Sequence, residues 1–240
     1  MDIREIKKHL EFLTYTPFHP QWLLARTNKG WIKSVARNLS GTVLDVGCGN
    51  RYLESALSND IKYIGLDYFV TATEWYHSCP DVYGDAERLP VINDTIDYVF
   101  LLDVLEHVPD PASCLREVTR VLKSGGKLVL QVPFIYPIHD APLDFQRWSI
   151  YGLEKLVKES GLTIETVEAI GEPLETSGML FNISLCKFVL NAINSRNPAF
   201  IILFLLPVIL PMINLCCLIL TIIIKNDTFM PFRYRIIAEK

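Results

Sequence analysis

The chain has 240 residues and a net charge of −4, long enough for one large α/β domain or for a smaller domain with an appended segment. Residues 42–177 carry ten basic against twenty-two acidic side chains, which excludes nucleic acid as the main partner because phosphate binding needs a basic face. Residues 1–41 and 225–240 are basic, which suits contact with an anionic membrane surface beside the apolar run described below.

The N-terminal region predicts one helix and no signal peptide. Residues 1–12 mix both charges and contain no apolar stretch, so a signal sequence is not expected. Residues 20–38 predict a helix in which Trp22 and Trp31 lie among basic side chains. Such a helix is typical either of a cap packed on the following domain or of a membrane contact, and the pattern fits both.

The cysteines predict reduced thiols in a cytosolic protein. They form no CxxC pair and show no Cys/His ligand spacing, so we expect no metal site. The six are Cys48, Cys79, Cys114, Cys186, Cys216 and Cys217.

Short apolar runs alternate with stretches of helical length from residue 42 onward. This alternation predicts a doubly wound, mostly parallel sheet, because near-continuous apolar strands are covered on both faces by helices. Pro111 and Ser149 sit where two of the helices would begin, and glycines follow both predicted ends. The predicted strands are 42–46, 63–67, one near Val82 and Tyr83, 98–102 and 127–132, and the two helices are 111–122 and 149–160.

The stretch VLDVGCGNRYLES, residues 43–55, predicts a ligand-binding turn. A glycine turn, leading into what reads as a helix, follows the first strand, and open α/β sheets bind ligands at the carboxyl ends of their strands. Asp67 ends the second strand, where a carboxylate can accept both hydroxyls of a ribose, and Asp85 in GDAERLP is placed to accept from an adenine amine. Together they describe a site for an adenosine cofactor.

The glycine spacing bears on which adenosine cofactor binds. A dinucleotide fingerprint needs a third glycine three positions after the second, and this chain has Tyr52 there. A nicotinamide dinucleotide therefore becomes the alternative rather than the first choice.

The C-terminal third predicts an apolar insertion before a final strand. Residues 199–224 are 26 apolar or uncharged residues, whereas about 20 suffice to span a bilayer. Residues 162–170 and 232–240 read as the sixth and last strands, so a single crossing would put the last strand across the membrane from its sheet. A hairpin turning near Pro207, Pro211 and Asn214 fits better, preceded by an interfacial helix over 179–193. A soluble cap or a dimer face is the alternative.

These patterns divide the chain into four parts. We expect an N-terminal helical cap, a catalytic domain, an apolar membrane-associated helical insertion, and a returning strand that completes the sheet. The boundaries are 1–41, 42–177, 178–224 and 225–240.

Several ordered motifs over residues 42–133 resemble one family. Four stretches resemble motifs of the class I S-adenosylmethionine-dependent methyltransferases of the type 11 group. They are VLDVGCGN, YIGLDY, GDAERLPV and IDYVFLLDVLEHVPDPASCLREVTRVLKSGGKLVLQVP. The resemblance implies a Rossmann-like sheet of seven strands whose last strand inserts antiparallel beside the fifth. It also implies S-adenosyl-L-methionine as the cofactor.

The resemblance assigns cofactor contacts residue by residue. Asp67 holds the ribose, Asp85 the adenine amine, and the glycine turn and the end of the fourth strand surround the methionine part. One departure is Arg51, where the family often has a third glycine, so the turn is wider or the arginine points away. The full set is Asp45, Gly47, Cys48, Gly49, Asp67, Tyr68, Asp85, Ala86, Leu102 and Asp103.

Methyl transfer from a sulfonium is an in-line displacement, and a base helps when the acceptor is a hydroxyl or a protonated amine. The candidates are His107 and a polar loop with His139, Asp144 and Arg147. The loop resembles a stretch found in a subset of these enzymes that act within cell-envelope polysaccharide clusters. We expect His139 to be the base or substrate anchor, with Arg147 pairing Asp144 or an anionic acceptor. His107 fits equally well as a packing residue.

The sequence therefore predicts a methyltransferase that acts at the cytosolic face of a membrane. Its acceptor is expected to be a small molecule or an amphiphile such as a lipid-linked saccharide. An NAD-dependent oxidoreductase and a non-catalytic cofactor-binding membrane protein are the alternatives.

Overall fold

The computed structural model describes residues 11–37, 39–224 and 227–240. They fall into two compact units. The sheet unit consists of Trp31–Phe134, Ile138–Ala169 and Arg233–Lys240, and the helical unit consists of the chain up to Gly30, Ile135–Pro137 and Ile170–Phe232. The four-part division expected from the sequence stays a prediction.

The sheet unit is built on seven strands in the order β3-β2-β1-β4-β5-β7-β6. β1 pairs in parallel with β2 and β4, β2 with β3, and β4 with β5, whereas β7 runs antiparallel to β5. The predicted methyltransferase-type sheet, with its inserted last strand, is confirmed. The strands are β1 Thr42–Val46, β2 Lys62–Asp67, β3 Val82–Tyr83, β4 Ile96–Leu102, β5 Leu122–Pro133, β6 Thr163–Ile170 and β7 Arg233–Glu239.

The central strands are buried, as their apolar runs predict. Val43 and Leu44 of β1 and Val99 of β4 are inaccessible to solvent. Two of the covering helices are α2, Pro111–Val121, and α3, Ile150–Glu159. Each begins at a side chain that caps the first turn: the Asp110 carboxylate accepts from Ser113 N at 3.1 Å and the Ser149 hydroxyl from Gly152 N at 3.3 Å. The predicted Ser149 cap is therefore present.

One local expectation is wrong. The glycine turn after β1 leads into a single 3-10 turn, Glu54–Ala56, instead of an α-helix. The chain has only fifteen residues between β1 and β2, and Leu57 is already extended, so a helix is not continued. The turn after β1 therefore does not present the N-terminus of an α-helix to the carboxyl ends of the strands.

The helical unit contains an antiparallel pair of long apolar helices. Helix α1, Trp22–Ala36, begins in this unit and ends in the sheet unit. The pair consists of α4, Pro173–Asn194, and α5, Leu206–Ile223, joined by a 3-10 segment, Pro198–Leu205. Gly178 lets them approach closely, since a Cβ there would lie 2.6 Å from the sulfur of Cys217.

The predicted turning point of the hairpin is wrong. α5 continues through Pro211 and Asn214, and Pro207 lies in its first turn, where the missing N–H is tolerated. The chain reverses earlier, between the end of α4 and Asn197, which caps the 3-10 segment. The positions of the prolines therefore did not predict where the chain turns.

Polar contacts hold the helical unit together inside its apolar surroundings. Asn182 Nδ2 donates to Asn214 Oδ1 at 3.0 Å, and Asn214 Nδ2 donates to the carbonyl oxygens of Pro17 and His19 at 2.7 and 3.0 Å. Arg26 pairs with Glu175. Buried side-chain amides of this kind fix the register of the two helices, because a shift would leave polar groups without hydrogen-bond partners at a cost in stability.

Two helical segments are long and apolar enough to cross a membrane, Pro173–Asn194 and Pro198–Ile223. Within the helical unit much of the apolar surface of the second segment is exposed: Phe204 is 73% exposed and Ile222 71%. Length and composition give only weak support for a span, because core helices of soluble proteins also meet them.

Candidate active site

A cavity of about 280 Å³ lies at the carboxyl ends of β1, β2 and β4 in the sheet unit. Sites for small molecules start at roughly 300 Å³, so its size suits a nucleoside-sized ligand. Six of the ten residues expected to contact the cofactor line this cavity: Gly47, Asp67, Tyr68, Asp85, Ala86 and Asp103.

The glycine turn is shaped by close approach. Gly47 has φ of +76°, and a Cβ there would lie 2.4 Å from Val104 Cγ2. Its amide and that of Cys48 donate to Leu66 O at 2.8 and 3.0 Å, which ties the turn to the end of β2. A side chain at Gly47 would therefore both strain the backbone and displace the cavity wall.

Asp67 is a buried carboxylate fixed by three donors. Its Oδ2 accepts from Gly49 N at 2.7 Å, and its Oδ1 accepts from Tyr68 N at 2.7 Å and Thr71 Oγ1 at 2.6 Å. A carboxylate offers about four acceptor sites, so capacity for a further hydroxyl donor remains. The side chain is thus oriented before any ligand binds.

Two more carboxylates complete the wall. Asp85 Oδ1 accepts from Glu87 N at 2.9 Å. Asp103 has φ of +57°, and its Oδ2 accepts from Gln131 Nε2 at 2.8 Å. Its buried Oδ1 has no hydrogen-bond partner among the described residues, so it is available to a donor from a bound ligand.

The four other expected cofactor residues, Asp45, Cys48, Gly49 and Leu102, do not line the cavity. Asp45 is buried behind it and accepts a 2.8 Å hydrogen bond from Tyr63. Burial raises the pKa of Asp45 to about 7, although the bond from Tyr63 acts in the opposite direction. Gly49 instead supplies the amide that positions Asp67.

Arg51 points away from the cavity. Its guanidinium pairs with Glu54 at 2.8 Å and with Asp81 at 3.1 Å, and lies over the ring of Tyr63. The backbone keeps a left-handed φ of +57°, the conformation that a glycine adopts most easily. Arg51 therefore adds a side chain where the family often has its third glycine, but it keeps the backbone conformation that a glycine would adopt.

A cluster of two imidazoles and a carboxylate adjoins the cavity. His107 lines the cavity, and the Nε2 atoms of His107 and His139 each lie 3.7 Å from Glu106 Oε1. The two rings are 4.9 Å apart. Burial raises the pKa of Glu106, although His139 and His107 act in the opposite direction.

The polar loop holds His139 in place. Asp144 accepts from the backbone N of His139 at 2.9 Å and lies 3.2 Å from its Nδ1, while Arg147 pairs with both oxygens of Asp144. Burial raises the pKa of Asp144, but Arg147 outweighs it and the net pKa is about 2. Burial lowers the pKa of His139, but Glu106 and Asp144 outweigh it and raise the pKa overall.

The structure also brings in residues that the sequence did not single out. Trp75, Tyr76 and Phe145 line the cavity, and the Tyr76 ring packs 3.6 Å from where a Cβ on Gly49 would be. Glu106 lies beside both imidazoles, whereas the sequence pointed only to its neighbour His107 as a candidate. The adjacency of Glu106 to His107 was a usable signal, whereas the aromatic residues lie in an irregular helical turn, Thr71–Tyr76, that no pattern marked.

Comparisons with known proteins agree with this geometry. Residues 44–130 match the model of a methyltransferase domain. The chain is 28% identical over 202 residues to the ubiquinone biosynthesis O-methyltransferase of Paracidovorax citrulli, covering 75% of this chain and 84% of that protein. It is 34% identical over 117 residues to the demethylmenaquinone methyltransferase of Staphylococcus saprophyticus, covering 42% and 50%. A solved S-adenosylmethionine-dependent methyltransferase from Archaeoglobus fulgidus shares the fold with a TM-score of 0.55 and 20% identity, covering 96% and 99%.

The sheet has the methyltransferase-type topology, and a cavity that suits a nucleoside-sized ligand lies at the carboxyl ends of its strands. With the methyltransferase-domain match over residues 44–130, the protein is an S-adenosylmethionine-dependent methyltransferase, and its sheet has the class I fold. S-adenosyl-L-methionine is therefore its cofactor, as the sequence predicts. The cavity fits this cofactor, because Asp67 is preset for a diol, Asp103 has an unpartnered oxygen and Gly47 leaves no room for a Cβ.

Proposed function

We propose that this enzyme methylates an oxygen of an amphiphilic acceptor at the cytosolic face of a membrane. The observation that carries the proposal is the cluster of Glu106, His107 and His139 beside the cofactor cavity. The cofactor supplies an electrophilic methyl group on a sulfonium. The protein must then position the acceptor, exclude water and receive its proton.

Asp67 and Asp85 would hold the nucleoside, and Asp103 the methionine part. Their carboxylates lie at the ends of adjacent strands, so one ligand reaches all of them. Leu143 and Phe145 add apolar wall from the loop that also carries Asp144. Closure of this wall over the acceptor would remove water from the reacting atoms.

We propose an imidazole of the cluster as the group that takes the acceptor's proton. His139 has the better support: Asp144 lies 3.2 Å from its ring nitrogen Nδ1 and Arg147 fixes Asp144, the arrangement that orients a histidine base. Glu106 and Asp144 raise the pKa of His139, which strengthens this imidazole as a proton acceptor. His107 reaches the cavity and is placed to anchor the acceptor.

The acceptor class rests on two observations. The relatives named above act, by their names, in ubiquinone biosynthesis and on demethylmenaquinone. The helical unit also exposes large apolar side chains along a segment with no charged residue from Asn197 to Ile224. An exposed apolar face of this extent is typical of a membrane or protein contact, and an amphiphile such as a lipid-linked saccharide or a quinone precursor would be presented there.

The connectivity of the chain supports insertion as a hairpin over a single crossing. β6 precedes and β7 follows the helical pair, and the two strands are neighbours in one sheet. Both ends of the insertion therefore stay on one side of any bilayer, which requires an even number of crossings or none. The catalytic side is taken to be the cytosol, where the cofactor is made.

Methyl transfer is tested with the full chain and isotopically labelled S-adenosylmethionine added to a membrane lipid extract. We expect a labelled lipid that carries the mass of one added methyl substitution. His139→Ala should bind S-adenosylhomocysteine as the wild type does and lose most of its turnover, since a positioned base contributes about 10² or more. Unchanged turnover of this variant would remove His139 from the mechanism.

Membrane association is tested by flotation with vesicles that contain anionic lipid. The variant carries serine at four exposed apolar positions of the helical unit, Ile201, Phe204, Val208 and Ile222. Tyr151→Ser is the matched control, because Tyr151 is an 80% exposed aromatic residue in the sheet unit. We expect the wild type and the control to float and the variant to remain in solution; equal flotation of all three would contradict the proposed insertion.

A further inference from the structure

We propose that Glu106, His107 and His139 form a binding site for a divalent first-row transition cation. The site would hold the acceptor oxygen, and this catalytic consequence rests on the function proposed above. The cysteine spacing from which no metal site was expected does not involve these residues.

The three side chains have the separations of ligands around one ion. One atom from each side chain lies within 4.8 Å of the other two, and each Nε2 is 3.7 Å from Glu106 Oε1. Bonds of roughly 2.0–2.2 Å from nitrogen and oxygen to zinc place neighbouring ligand atoms about 3.0–3.6 Å apart. A small inward movement of the rings is therefore enough.

His107 is held with Nε2 as the lone-pair nitrogen, and the Asp144 carboxylate lies beside Nδ1 of His139. His107 Nδ1 lies 2.8 Å from the carbonyl oxygen of Leu143, which can only accept, so this nitrogen carries the proton. His139 Nδ1 lies 3.2 Å from Asp144 Oδ2 and 3.3 Å from Arg147 Nη2. In the tautomer that carries its proton on Nδ1, the Asp144 carboxylate is the acceptor and Nε2 is the nitrogen that can bind a cation. Histidines that bind metals are usually oriented by such a carbonyl or carboxylate behind the ring.

Glu106 provides an independent observation. Its side chain is inaccessible to solvent, and neither carboxylate oxygen has a hydrogen-bond partner within the part of the chain that the structure describes. A buried carboxylate is costly unless it is paired, hydrogen-bonded or bound to a metal. The two imidazoles, each 3.7 Å away, are too distant for direct hydrogen bonds, whereas a cation between the three groups would satisfy the carboxylate.

The donor set selects the class of cation. Two imidazoles and one carboxylate suit zinc, iron(II), cobalt or manganese, whereas magnesium and calcium prefer oxygen ligands. Three protein ligands leave positions for other donors, as in catalytic metal sites. Since His107 lines the cavity, a hydroxyl of an acceptor bound there could supply one of those other donors.

This assignment changes how the acceptor is activated. An imidazole nitrogen that holds a cation cannot take a proton at the same time. In the cation-bound enzyme the bound hydroxyl is acidified by the cation, its O–H bond breaks, and the proton passes to solvent water. The imidazole-base mechanism and the cation mechanism therefore predict opposite responses to chelation.

The test is a cobalt(II) titration of the full chain after chelator treatment, followed by visible absorption. We expect one equivalent to give ligand-field bands and to raise the thermal midpoint. Glu106→Gln keeps the shape of the side chain and should weaken binding at least about tenfold, the scale of losses in metal sites. His77→Ala is the control, because His77 is an exposed histidine of the sheet unit outside the cluster and should leave binding unchanged.

S-adenosylhomocysteine binding, measured by calorimetry, reports whether Glu106→Gln is folded; we expect it to match the wild type. Absence of stoichiometric cobalt binding, or equal affinity in Glu106→Gln, would overturn the cation site. Labelled methyl transfer that is unaffected by chelation would also overturn it and leave the proposed function standing. Cobalt binding without methylation of any lipid in the extract would overturn the proposed acceptor class alone.

Discussion

Asp45 should make the stability of the sheet unit depend on pH in an unusual direction. Most carboxylates stabilise a fold when ionised, but Asp45 is buried and burial raises its pKa from the ordinary 3.8 to about 7. The folded state therefore holds a proton that the unfolded chain releases between these two values. Stability is highest below the lower value, is lost as pH rises through the interval, and stays low above pH 7.

The size of the effect follows from the two pKa values. Each unit of difference corresponds to 1.36 kcal/mol, so a difference of about three units amounts to about 4 kcal/mol of lost stability at alkaline pH. Asp45→Asn cannot ionise, and its side-chain carbonyl can still accept from Tyr63. The variant should equal the wild type at low pH and exceed its stability by about 4 kcal/mol above pH 7.

Urea unfolding of the full chain in mild detergent, repeated from about pH 4 to pH 8, measures this difference. Asp60→Asn removes an exposed carboxylate from the same unit and should leave the pH profile unchanged. If the wild type and Asp45→Asn lose stability in parallel as pH rises, Asp45 is already ionised in the folded state and the reasoning is refuted.

Two further substitutions test the packing arguments. Gly47→Ala should cost about 1–2 kcal/mol for the left-handed backbone and should weaken S-adenosylhomocysteine binding through the contact with Val104, measured by unfolding and calorimetry. Gly30→Ala is the control, because Gly30 lies within a helix and no atom lies within 4 Å of where its Cβ would be. This substitution should not lower the free energy of unfolding. A loss of stability equal to that of Gly47→Ala would contradict the special role of the Gly47 backbone. Asn214→Leu should lower the stability of the helical unit by about 1–3 kcal/mol, because it leaves the carbonyls of Pro17 and His19 without that donor. Asn191→Leu on the exposed side of α4 is its control, and equal thermal midpoints for both variants would contradict a structural role for Asn214.

The sheet and the cofactor edge could be predicted because their signals are local. Apolar runs such as YVFLL mark buried parallel strands, and each predicted strand was found within a few residues of its expected place. Gly47, Asp67 and Asp85 follow strand ends directly, so topology alone brings them to one edge. The positions of these residues follow from the order and direction of the strands and do not depend on how side chains pack.

The errors have a different physical origin. Pro211 was interpreted as a break, but a proline inside a long apolar helix is tolerated when the surrounding turns and neighbouring helix compensate, and α5 continues through it. The expected cofactor contact of Asp45 stays a prediction. Its side chain accepts from Tyr63 and does not line the cavity, an orientation set by the alternation of side chains along the strand. Both results depend on which neighbours a helix or strand packs against and on which side each residue faces. A single sequence specifies these features only weakly.

The last strand contributes more to the site than its position in the sequence suggests. Arg235 of β7 donates to Gln131 Oε1 at 2.9 Å, and Gln131 in turn donates to Asp103 Oδ2, whereas Arg233 lies 3.5 Å from the same oxygen. Burial lowers the pKa of Arg235 to about 10, with Arg233 adding to the effect, and the Trp31 ring covers its guanidinium.

Two buried cations thus position and balance the charge of a carboxylate that lines the cofactor cavity. They belong to the segment that follows the apolar insertion, so the cofactor edge is complete only after the chain has returned to its sheet. For the membrane insertion proposed above, this dependence would require β7 to lie on the catalytic side of the membrane. It favours a hairpin over a single crossing on grounds independent of hydropathy.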